Sequence, residues 1–84
     1  MKVEEVNMKM STEDKLHVLQ ELREDIGEAA FRRAVAAVET KHILELMYYK
    51  GKRIERTELC NRVNLTLWGF GCEPMSYSWF RAWL

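Results

Sequence analysis

The stretch Ile43-Leu44-Glu45-Leu46-Met47-Tyr48-Tyr49-Lys50-Gly51-Lys52-Arg53-Ile54-Glu55-Arg56-Thr57-Glu58-Leu59-Cys60-Asn61-Arg62-Val63-Asn64-Leu65-Thr66 decides the fold. Its apolar side chains up to Tyr49 point nearly all round a helical axis, the pattern of a helix enclosed on every side. Lys50-Gly51-Lys52 is a stop signal, with a cation in the last turn and a glycine just beyond it. A short helix then runs from Glu55 or Thr57 to Val63. Leu59 and Val63 share its inner face, and Cys60 is small enough for a close helix crossing. Asn64 stands where a tight turn takes the backbone left-handed, a conformation asparagine tolerates better than most residues. Leu65 anchors the exit of that turn.

Working towards the N-terminus, residues 11–49 read as two helices. Ser11 with Asp14 after it resembles a capping arrangement, so a first helix begins near Thr12. Leu16, Leu19, Leu22 and Ile26 recur at three- and four-residue spacing on one face, and Gly27 ends the run. The second helix spans about Glu28 to Tyr49, either unbroken or interrupted near Thr40. Its first half sets Phe31, Ala34, Val35 and Val38 against Arg32, Arg33 and Glu39. Residues 1–10 hold no sustained period and read as a loose arm, or a short strand at Val3 to Val6.

Towards the C-terminus, Asn64 to Pro74 contains Gly69, Gly71 and the single proline, and reads as loop. Ser76 or Ser78 caps a last helix to Leu84 with an apolar stripe of Trp79, Phe80, Trp83 and Leu84. The expected fold is therefore all-α: one small domain over residues 1–84 of four to five helices, with residues 11–49 as core or dimerisation helices. Eighty-four residues fall below the usual domain size of roughly 100–150, so the core is thin and a homodimer is expected.

Hydrophobic residues at 48% and charged residues at 31% exclude a disordered tail. No long apolar run and no basic-then-apolar leader occurs, so no membrane contact is expected and a cytoplasmic location is. There Cys60 and Cys72 remain thiols. Net charge is zero, yet residues 1–49 carry seven basic and ten acidic side chains and residues 50–84 carry six and three. The second part is locally positive, and the local patch sets affinity for phosphates.

The Ile43 to Thr66 stretch resembles the first half of a helix-turn-helix domain, in a generic, winged-helix-like register. A second register, over about residues 38–68, resembles the DNA-binding domain of the Fis family and NtrC-type activators. It rests on Val38-Glu39, Lys41-His42-Ile43-Leu44, Gly51, Arg53, Glu58-Leu59 and Thr66-Leu67-Trp68. After Trp68, Gly69-Phe70-Gly71 stands where that family has a basic recognition helix. The resemblance implies a small transcriptional regulator that binds double-stranded DNA as a homodimer. Lys50, Lys52, Arg53, Arg56 and Arg62 would then lie at phosphates, with Asn61, Asn64 and Thr66 nearest the bases.

Six of nine aromatic residues fall in the last seventeen positions, which opens another reading. In it a helical adaptor or inhibitor binds a partner protein through Trp68, Tyr77, Trp79, Phe80 and Trp83, because Trp and Tyr anchor protein contacts. His17, His42, Cys60 and Cys72 lack the close paired spacing of a zinc site, so no metal and no cofactor is expected. No constellation supplies a nucleophile, a base and a stabiliser together, so no catalytic residue is assigned and no enzyme is expected.

Overall fold

The computed structural model describes residues 10–84, and all the regular structure there is helical. Four helices follow in order: α1 (Thr12–Ile26), α2 (Glu28–Tyr49), α3 (Arg56–Gly69) and α4 (Tyr77–Trp83). The arm or strand expected over residues 1–10 lies, Met10 apart, outside the described residues.

Helix α1 starts where its cap dictates. The Ser11 hydroxyl accepts from the Asp14 amide at 3.1 Å, satisfying one orphan donor of the first turn. Gly27, at φ +88°, is the whole connection to α2, which it turns back along α1. Thr12 on α1 and His42 on α2 share a hydrogen bond of 2.9 Å, so the two helices run antiparallel along most of their length. Helix α2 continues unbroken through Thr40.

The end of α2 is a Schellman motif. The Lys52 amide bonds the Met47 carbonyl at 2.9 Å, the Gly51 amide bonds Tyr48 at 3.0 Å, and Gly51 takes φ +65°. Helix α3 ends by the same device: Cys72 donates to Leu67 and Gly71 to Trp68, each at 2.9 Å. The Ser76 hydroxyl then caps α4 by accepting from the Trp79 amide at 3.2 Å.

One core lies between these elements. Phe31, Val35, Ala36 and Ile43 of α2 meet Leu59, Cys60, Val63 and Leu67 of α3, and Phe80 of α4 with Cys72 and Met75 closes the end. Helix α1 contributes Leu16 and Leu19 from the margin and has no fully buried side chain.

Two expectations are corrected. The tight turn at Asn64 is absent, because α3 runs through that position to Gly69; its buried stripe of Leu59, Cys60, Val63 and Leu67 holds helical spacing throughout. The loop expected from Asn64 therefore begins only after Gly69. The second half of α2 is not enclosed either. Ile43 is buried and Met47 partly so, while Leu44, Leu46, Tyr48 and Tyr49 face solvent.

Candidate nucleic-acid interface

Six of the eight residues expected at DNA lie together on the surface. Lys50, Lys52 and Arg53 occupy the link between α2 and α3, and Arg56, Asn61 and Arg62 continue along the outside of α3. Among the described residues none of Lys50, Lys52, Arg53 and Arg56 makes a salt bridge, so these four charges are available to an anion, with Glu55 the one carboxylate in the segment. Arg62 is occupied in part by Glu58, one turn away at 3.4 Å. The N-terminus of α3 receives no side-chain cap from Glu55, so the positive end of its dipole adds to this patch, offset in part by Glu58 in the first turn.

The other two expected residues are engaged inside the fold. Asn64 Nδ2 donates to the Met75 carbonyl at 3.0 Å and its Oδ1 accepts from the Met75 amide at 2.8 Å. The side chain thus pairs with a backbone as a neighbouring strand would, and holds the chain that leads into α4. The Thr66 hydroxyl donates to Glu39 of α2 at 3.0 Å. Both assignments at the bases are corrected on that ground.

The aromatic tail divides. Phe80 is wholly buried and is removed from the partner-binding set, since no partner can reach it without unfolding. Trp83 is half-buried and packs against Phe80, with ring centroids 5.7 Å apart; Trp79 stacks outside it at 6.1 Å. Tyr77 is exposed and borders a groove with Arg53, Ile54, Glu55, Arg56 and Thr57. Trp68 is 77% exposed, with Leu65 one turn before it at 69%.

Sequence reasoning missed Tyr48 and Tyr49. They are 81% and 82% exposed at the end of α2, their rings edge to face at 6.0 Å, directly before the cationic link. Tyr48 lines an open groove of about 290 Å³ with Leu44, Met47, Lys52, Arg53 and Ile54. The adjacency to Lys50 and Lys52 was a signal for it, hidden because an all-round apolar pattern reads as enclosure.

His17 faces Glu21 on α1, His42 faces Thr12, and Cys60 and Cys72 are buried free thiols. Burial pushes both thiols above their ordinary range; a hydrogen bond from Asn64 and the nearby Arg23, respectively, offset this in part. No helix among the described residues is long and apolar enough to cross a membrane. Set beside protein-family models, curated proteins and solved structures, the chain matches none.

Proposed function

We propose that this chain is a small nucleic-acid-binding module whose contact surface is the α2–α3 link and the first half of α3. The observation that carries this reading is the run of four exposed cations, Lys50, Lys52, Arg53 and Arg56, free of salt bridges among the described residues and set against an uncapped helix N-terminus. Phosphate binding draws on unpaired surface cations and helix N-termini, and both occur here within a few residues. The finer form of the reading is a homodimeric regulator of double-stranded DNA, with α3 as the helix that approaches the duplex. Asn61 and Arg62 are then the side chains nearest the bases.

Fluorescence anisotropy with random-sequence DNA tests it. Four phosphate contacts give a slope of log affinity against log salt of about −3.6 on duplex, an affinity loss of roughly 150-fold between about 50 and 200 mM salt. Absence of binding at tens of micromolar protein at the lower salt sinks the proposal.

A second reading is favoured by Leu65 and Trp68, which project one turn apart from a regular helix and are mostly exposed. Such a pair is an anchor for a protein contact, and a second copy of the chain is its simplest occupant. Sedimentation equilibrium separates the outcomes: a wild-type dimer that becomes monomeric on changing both Leu65 and Trp68 to Ser supports it, and a wild-type monomer refutes it. Removing everything after Pro74 is a poorer test, because it takes Met75 and Phe80 out of the core.

A further inference from the structure

The groove beside Tyr48 joins an apolar lining to an exposed ring and two cations. Leu44, Met47 and Ile54 give it an apolar lining, Tyr48 presents an almost free ring, and Lys52 and Arg53 supply positive charge. The Schellman turn at Gly51 produces this juxtaposition, since it brings Lys52 back to the last turn of α2, where its amide bonds Met47. The site is an open groove of about 290 Å³, so the Tyr48 ring is accessible to a flat ligand.

From this we infer that the preferred ligand is a single-stranded polynucleotide, with one unpaired base against Tyr48 and its phosphates on Lys52 and Arg53. The inference rests on the nucleic-acid reading above and sets a single strand in place of the duplex as the preferred ligand of the same surface. An exposed aromatic ring beside cations is the combination that single-strand binders use, because every base offers a face to stack when it is not paired. Duplex DNA cannot offer that face without being opened. Tyr49, edge to face with Tyr48 and equally exposed, offers a second ring beside the first.

The experiment is anisotropy at low salt with a labelled oligothymidylate of about twenty nucleotides and a duplex of the same length, using the full chain. The expected result is single-strand binding about tenfold tighter than duplex binding. Tyr48→Ala should weaken the single-strand complex about tenfold and leave the duplex complex unchanged, while Tyr48→Phe, which keeps the ring, retains wild-type affinity. Because Tyr48 is 81% exposed, its variants keep the fold, which a circular-dichroism melt verifies. Duplex binding as tight as single-strand binding, or indifference of the single-strand complex to Tyr48→Ala, overturns this inference while the cationic surface stands as a nucleic-acid site. No binding to either probe overturns both.

Discussion

Asn64 shows what one side chain can do when it bonds a backbone twice. Its two hydrogen bonds to Met75 join α3 to the segment before α4 at a half-buried position, where water replaces them poorly. Asn64→Ala should cost about 2 kcal/mol, from two lost bonds and the desolvated Met75 groups left behind. Urea denaturation measures it, and an unchanged midpoint contradicts the role. Thr40 is the converse case. Its hydroxyl is buried on α2 with no hydrogen-bond partner among the described residues, so Thr40→Val, of nearly the same shape, should raise stability by about 1 kcal/mol in the same assay. The thiols of Cys60 and Cys72 are both buried and both shifted towards the neutral form. Alkylation followed by mass spectrometry should therefore find them slow in native protein and fast in denaturant, since only the thiolate reacts.

At the scale of elements, the helix boundaries that were legible are those set by local chemistry. Ser11 and Ser76 cap, Gly27 and Gly51 take positive φ, and each boundary falls where the residue type places it. Gly27 is the sharpest of these. Its φ of +88° with ψ of 158° lies in a region essentially closed to side chains, so Gly27→Ala should cost roughly 1–3 kcal/mol although open space surrounds the added carbon. A thermal melt reads this as a lowered midpoint with the helix content retained. The extent of α3 was misread for a tertiary reason. Asn64 has turn-forming chemistry, but its amide is used on Met75, and the continuing stripe from Leu59 to Leu67 wins over local preference. The site was half legible: charge and exposure of Lys50 to Arg56 follow from sequence, whereas the freedom of Tyr48 depends on which side of α2 the other helices occupy.

Over the whole molecule, the core is an α2–α3 sandwich closed by α4, and α1 lies on its edge. With no fully buried side chain of its own, α1 is held by Leu16 and Leu19, by Thr12 on His42, and by Arg23. Arg23 is the main tie. Its guanidinium donates through Nε and Nη2 to Glu28 and through Nη1 to the Phe70 carbonyl at 2.7 Å, and it lies 4.5 Å over the Phe31 ring. One side chain thus links α1, the first turn of α2 and the loop after α3. The hydrogen bonds from Arg23 hold the Glu28 carboxyl below its ordinary value. A carboxylate with a lowered folded value stabilises the fold above its unfolded value, and that contribution disappears as pH falls through the folded one. Acid should therefore loosen α1 first. Circular-dichroism melts between about pH 7 and pH 3 should show wild type losing more stability than Glu28→Gln, whose neutral amide has no such proton to take up. If the two lose stability in parallel across that interval, the Arg23–Glu28 pair is not what fastens α1 to the rest of the molecule.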